Sequence, residues 1–314
     1  MSIEAKALSY LSSNGMHTIH AVVWDDASRT DKPRGIVQFV HGMAEYTERY
    51  DDIARFLVRN GFVACGNDHI GHGKSVPDKS YWGVMPVKGG PQILIDDVNT
   101  LRKTMQEQYG TDVPYFLYGH SMGSFVARTY IAHYADGLSG VVISGTANNP
   151  ARACQLAGYL ARRHARKHGI DGYSSLLNSL ADGAYSSAVK NARTGFDWLS
   201  YDEAVVDAYI ADELCGFPFK AGGYATLMDL CEFVAKEESI SPVPRTLPLF
   251  LIAGDQDPVG ANGKGVRQVF ERYIKGGCTD VELKIYENMR HEVHNELDKD
   301  TVYNDVLAWL EGRV

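Results

Sequence analysis

The chain contains no run approaching the roughly 18 consecutive apolar residues that a membrane span needs. Positive charge is also in short supply. Lys and Arg total 31 against 39 Asp and Glu, a formal net charge of −8, so the basic footprint of a nucleic-acid binder is missing. Cysteine is sparse: Cys65, Cys154, Cys215, Cys231 and Cys278 are scattered, odd in number and form no CxxC pair. That excludes a disulfide framework and fits a reducing cytoplasm. The amino terminus has no basic region followed by an apolar run, so no signal peptide is expected. Internal repeats and low-complexity segments are absent too. What is present is 314 residues, 45% of them hydrophobic. That is enough for one large α/β domain, or for a core carrying an inserted domain.

The most informative stretch is Tyr115-Phe116-Leu117-Tyr118-Gly119-His120-Ser121-Met122-Gly123. Four apolar or aromatic residues read as a short buried strand and run directly into Gly-x-Ser-x-Gly. Phe125, Val126, Ala127, Tyr130 and Ile131 then recur at helical spacing. The pentapeptide alone is a weak signal, because small residues cluster in many turns. Strand, sharp turn and helix around it give it meaning as a nucleophile turn. Glycines on either side of the serine let strand and helix approach closely. Ser121 then projects from the carboxyl edge of the sheet, with the Met122 N–H pointing into the same space.

Around this stretch the chain alternates strand and helix. Residues 7–12 and 17–24 flank Ser13-Asn14-Gly15 as a hairpin. Residues 36–40 and 61–65 read as buried strands, with a helix carrying Ile53, Ala54, Leu57 and Val58 between them. A helix over 93–109 leads to the Ser121 strand, and Val141-Val142-Ile143 forms another strand. The pattern predicts an α/β fold: a mostly parallel sheet with helices on both faces. From Thr146 to about Ser241 the alternation stops and helical pattern dominates, closing at Ser241-Pro242-Val243-Pro244. Strands at 249–253 and 281–286, a helix over 265–274 and a last helix from about Asp300 complete the sheet. The expected organisation is a core of residues 1–145 and 242–314 with a helical cap, 146–241. The cap is expected over the carboxyl edge, where open α/β sheets bind ligands.

A neutral serine needs a base, and the base needs an orienting acid. On a sheet of this kind their order is serine, acid, histidine. Asp257 follows the strand at 249–253, and Asp255 competes from two residues earlier. Asp257 is preferred because it lies farther out on the loop. His291, on the loop after the last strand, is the expected base, since His294 is already entering a following turn. Two backbone donors are needed for a developing oxyanion. Met122 supplies one, and Met43, in the loop His41-Gly42-Met43, is the candidate for the other.

Five motifs follow one another along the chain: His41-Gly42-Met43-Ala44-Glu45, Gly71-His72-Gly73-Lys74-Ser75, Gly119-His120-Ser121-Met122-Gly123, Gly254-Asp255-Gln256-Asp257-Pro258 and Arg290-His291-Glu292. Together they resemble the lysophospholipase and monoacylglycerol-lipase branch of the serine α/β-hydrolases. The resemblance covers nearly the whole core and only loosely the cap. It implies the α/β-hydrolase fold, a Ser121–Asp257–His291 triad and oxyanion donors at Met43 and Met122. It further implies that Glu45, Arg49 and His294 line the polar pocket for the glycerol end of a substrate. The cap departs from the animal monoacylglycerol lipases, so acyl length and head group do not carry over.

Other signals are weaker. Gly73-Lys74-Ser75 would belong to a phosphate loop only with glycine at position 68, where Asp68 stands. His291 and His294 are three apart, whereas the helical zinc motif needs four. Asp68, His69 and His72 could chelate by type, but glycine-rich turns rarely fix a metal geometry, so no metal and no cofactor are expected. Residues 151–168 carry five basic and no acidic side chains, with Ala153, Leu156, Ala157 and Leu160 on one face. This reads as a cap helix packing inward with a solvated outer face, membrane contact being at most peripheral. The expected activity is hydrolysis of a small lipid ester, a lysophospholipid or monoacylglycerol, through an acyl-enzyme. A general carboxylesterase, a thioesterase, an aminopeptidase or a non-catalytic binding protein of the same fold are the alternatives.

Overall fold

The computed structural model describes residues 2–181 and 183–314. A hairpin of β1 (Ile3–Leu11) and β2 (Thr18–Asp26) comes first, then β3 (Ile36–Val40), α1 (Asp51–Arg59) and β4 (Val63–Asn67). Next come α2 (Gly90–Tyr109), β5 (Tyr115–His120), α3 (Met122–Tyr134) and β6 (Gly140–Ser144). The interruption holds α4 (Ala151–His168), α5 (Ser175–Ala181), α6 (Gly183–Ser186), α7 (Glu203–Ala211) and α8 (Ala221–Val234). β7 (Leu249–Gly254), α9 (Lys264–Lys275), β8 (Val281–Tyr286) and α10 (Lys299–Glu311) close the chain.

The strands form one sheet in the order β1-β2-β4-β3-β5-β6-β7-β8. β2 pairs antiparallel with β1 and β4, and every later pairing is parallel. This is the α/β-hydrolase fold. The central strands are buried on both faces, which is why they read as continuous apolar runs rather than alternating ones. Ile36 and Val40 of β3, with Tyr115 and Leu117 of β5, face the layer containing Leu94 and Val98 of α2. Val37, Phe39, Phe116 and Tyr118 face the opposite layer, with Ile53 and Leu57 of α1 and Val302 and Val306 of α10.

Residues 146–241 contain helices and turns, with no strand among the described residues. α8 packs against both α3 and α4. Two core arginines clasp the ends of this segment. Arg128 of α3 donates to Thr146 Oγ1 (3.2 Å), the Ala147 carbonyl (3.1 Å) and the Val234 carbonyl (2.9 Å). Arg272 of α9 donates to the carbonyls of Val234 (2.9 Å) and Lys236 (3.0 Å).

α4 is rotated from the expected orientation. The face turned inward is the small-residue stripe Cys154, Gly158, Ala161 and Ala165, while Leu156 is 62% exposed. Gly158 explains the choice, because a Cβ there would meet the Met228 side chain of α8 at 3.3 Å. Close helix approach outweighs the burial of one leucine.

Candidate active site

β5 ends at His120 and α3 begins at Met122, so Ser121 alone makes the turn. Its backbone sits at φ 53°, ψ −121°, a region that non-glycine residues enter only under constraint. The flanking glycines are required by space. A Cβ on Gly119 would lie 2.6 Å from the Gly123 carbonyl oxygen and 2.7 Å from the Ala127 Cβ, and one on Gly123 would strike the Val40 carbonyl. The Ser121 N–H donates to the Ser144 carbonyl at 3.0 Å, anchoring the turn to β6.

His291 and Asp257 meet although 34 residues separate them, with Nδ1 3.0 Å from Oδ1. Asp257 is wholly buried and also accepts from the Val259 N–H at 2.9 Å. Asp255 goes elsewhere: its carboxylate takes the Asn288 N–H at 2.8 Å, tying the β7 loop to the β8 turn. Burial opposes a charge on His291, but attraction and hydrogen bonding from Asp257 outweigh it and raise its pKa, with Glu292 and Glu45 adding to the effect. His291 Nε2 is buried without a partner among the described residues. The ring approaches closely because residue 145 is glycine, where a Cβ would lie 3.0 Å from His291 Cε1.

The loop after β3 faces Ser121. A Cβ on Gly42 would come within 3.0 Å of the Ser121 Cβ, and Ala44 takes φ 53° to complete the turn. Among the described residues, the loop and turn hydrogen bonds engage neither the Met43 nor the Met122 N–H. The Gly42 N–H instead donates to Glu45 Oε1 at 2.5 Å.

A cavity of about 280 Å³ opens above these groups. Ser121, His291, Met43, Met122 and Glu45 all line it, joined by apolar side chains of the 146–241 segment such as Ala153, Leu227 and Met228. Arg49 and His294, expected at its wall, stand behind it instead. Arg49 is drawn inward by carboxylates, donating to Glu45 Oε2 (2.6 Å) and to both oxygens of Glu292 (2.7 Å each). His294 stacks on Tyr50 with ring centroids 4.9 Å apart, and burial pushes its pKa down to about 3.

Three side chains that the sequence did not single out belong to the site. Glu292 was visible only as the neighbour of His291. Trp198, its ring centroid 5.1 Å from that of His291, and Tyr209, whose hydroxyl donates to the Ala44 carbonyl at 3.0 Å, carry no local signal. His69 and His72 pack with His41 as a buried, uncharged cluster, with His41 and His69 ring centroids 4.3 Å apart. His20, Glu48 and Asp68 gather donor atoms within 4.8 Å of one another, outside the cavity. Lys74 Nζ already bonds Glu48 Oε1 there at 2.7 Å.

The sequence model described as "Serine aminopeptidase, S33" matches residues 31–298. The chain belongs to that family. Within these S33 serine α/β-hydrolases it stands with monoglyceride lipase-like members. It is 28% identical to a monoacylglycerol lipase of Mycolicibacterium smegmatis over 302 residues, covering 92% of each chain. It is 29% identical to the monoglyceride lipase of Mus musculus over 287 residues, covering 90% of this chain and 84% of that one. A carboxyl esterase from Bacillus coagulans, solved in complex with glycerol, superposes with a TM-score of 0.90 at 34% identity, covering 100% of this chain and 99% of that one. The S33 match spans every residue named above for the site.

Proposed function

We propose that the chain is a carboxylic ester hydrolase of single-chain lipids, monoacylglycerols or lysophospholipids. One observation carries this reading: Ser121, on a strained turn, shares an apolar cavity with His291, whose ring is held by buried Asp257. Ser121 Oγ attacks the ester carbonyl as His291 Nε2 takes its proton. Asp257 fixes the imidazole tautomer and favours the imidazolium. The N–H groups of Met43 and Met122 stabilise the oxyanion. His291 then protonates the departing alcohol and afterwards activates the water that releases the acid. Such a cycle needs no metal or cofactor.

Residues 146–241 act as the substrate-selecting cap over a core of 1–145 and 242–314, and Glu45 marks the polar end of the cavity. Arg49 and His294 shape that end from behind. The relatives named as monoacylglycerol and monoglyceride lipases support the lipid substrate. An aminopeptidase would need a free anion for the substrate amine, whereas Glu45 and Glu292, the acids lining the cavity, are both engaged by Arg49. A carboxylesterase of wider range is the second reading, favoured by the likeness to the Bacillus coagulans enzyme.

Among the described residues no helix is long and apolar enough to cross a membrane. The reading places the enzyme in the cytoplasm and gives any contact with lipid surfaces to the outer face of α4. There Leu156 and Tyr159 are exposed beside Arg152, Arg163 and Arg166. The test is a panel of p-nitrophenyl esters, monoacylglycerols, lysolipids and aminoacyl amides. Highest kcat/KM on a single-chain lipid ester is expected, and turnover confined to aminoacyl amides would refute the reading.

A further inference from the structure

Taking Ser121 and His291 as nucleophile and base, we propose that Arg49 is a positioning residue that holds the oxyanion loop and the histidine loop in one register. A run of hydrogen bonds makes the connection. The Gly42 N–H, next to Met43, donates to Glu45 Oε1 at 2.5 Å, and Tyr50 OH donates to the same oxygen at 3.0 Å. Glu45 Oε2 receives Arg49 Nη1 at 2.6 Å. Arg49 grips Glu292 through both terminal nitrogens at 2.7 Å, and Glu292 is the residue after His291. The Glu292 N–H donates to the Leu199 carbonyl at 2.8 Å, so its backbone is held on the far side as well.

Arg49 has little left to offer a substrate. Its terminal nitrogens are taken up by carboxylates, and the Tyr209 ring covers the guanidinium at 4.8 Å. Glu45 and Glu292 are only 2% exposed each. Burying a cation with two carboxylates is a poor way to stabilise a fold, because desolvation offsets the attraction. It is an effective way to fix two loops, since a planar fork grips a carboxylate in one orientation. The two loops joined are the ones that present an oxyanion donor and the base. Their relative placement governs catalysis steeply, and a misplacement of about 1 Å can cost on the order of 100-fold in rate.

The charges also reach the base. Glu292 and Glu45 both favour the protonated form of His291. A neutral residue at 292 therefore lets His291 lose its proton at lower pH.

The experiment measures kcat and KM on two esters, a p-nitrophenyl acyl ester without glycerol and a monoacylglycerol. Arg49→Lys keeps the charge and loses the fork. It is expected to lower kcat about 100-fold on both esters, with KM within about twofold. Arg49→Ala should regain part of that loss when guanidinium ion is added at millimolar concentration. Glu292→Gln should lower kcat on both esters and move the acid limb of kcat/KM to lower pH, an effect that a purely structural role does not produce. If Arg49→Lys does not fold, as judged by its melting curve, Glu292→Gln carries the same expectation. A loss confined to the monoacylglycerol, or appearing only in KM, would make Arg49 a substrate ligand and overturn the proposal. Unchanged kcat on both esters would overturn it as well. A wild-type protein inactive on both would instead refute the hydrolase reading.

Discussion

Tyr209, on α7, donates its hydroxyl to the carbonyl of Ala44 at 3.0 Å, and the Gly216 N–H donates to the same oxygen at 2.9 Å. Ala44 is the positive-φ residue of the loop facing Ser121. Thus the 146–241 segment, whose side chains line the cavity, also holds down the proposed oxyanion loop. Tyr209→Phe removes one of two donors to that carbonyl, worth about 1 kcal/mol. If the restraint is felt at the transition state, kcat falls about fivefold with little change in KM. A variant that loses thermal stability but keeps full kcat would confine Tyr209 to a structural role.

The two aspartates after β7 separate by function. Asp257→Asn is expected to lower kcat by around ten-thousand-fold, since the imidazole would be held in the wrong tautomer. Asp255→Asn removes the acceptor of the Asn288 N–H and should cost about 1 kcal/mol in stability, with activity largely kept. Parallel melting curves and initial rates decide this, and a dead Asp255→Asn beside an active Asp257→Asn would reverse the assignment.

Acyl-chain selection should depend on Leu227, which lines the cavity, and not on Leu156, which points outward. Each buried methylene contributes about 0.8 kcal/mol. Leu227→Ala should therefore reduce kcat/KM progressively more for longer acyl chains, while Leu156→Ala leaves the profile unchanged. Equal losses at every length for Leu227→Ala would show a purely structural wall.

Acid sensitivity follows from the buried imidazoles. Burial pushes His69 down to about 3, His72 to about 4 and His294 to about 3, so all stay neutral in the folded protein at moderately acidic pH. The unfolded chain protonates near 6.5. Their stabilisation is therefore complete above that pH and is lost as pH falls toward 4, by about 1 kcal/mol per pH unit for each histidine. Asp68, raised by burial to about 6, opposes the trend, because it binds its proton more readily folded than unfolded. His291, raised as well, contributes with the same sign as Asp68. Burial also depresses His20, His41 and His120, while Glu45, Asp97 and Glu296 are raised and side with Asp68. The depressed histidines are the larger set, so the melting temperature should fall between pH 7 and pH 5. His72→Asn should make that fall shallower, and a melting temperature that rises on acidification would contradict the balance.

Much of the core was legible because its signals are local. Buried strands such as β5 and β7 are unbroken apolar runs, and the elbow glycines announce a backbone approach that a Cβ would block. Ser121, Asp257 and His291 could be ordered along the chain because each follows a strand. The contacts that cross the molecule could not be read. Nothing local to Tyr209 foretells its reach to Ala44, and nothing near Arg49 shows that it would turn away from the cavity toward Glu292. The rotation of α4 was hidden for a related reason: its face is chosen by the fit of Gly158 against Met228 of α8, not by its own apolar periodicity.

The most direct measurement is stoichiometric labelling with a fluorophosphonate followed by mass spectrometry of the intact protein and its peptides. One adduct per chain is expected, on Ser121, with loss of ester hydrolysis in step with labelling. Ser121→Ala should take up no label and turn over about a million-fold more slowly while keeping its fold. An unlabelled wild-type protein, an adduct on another residue, or a Ser121→Ala variant retaining a tenth of the activity would contradict the assignment of Ser121 as the nucleophile.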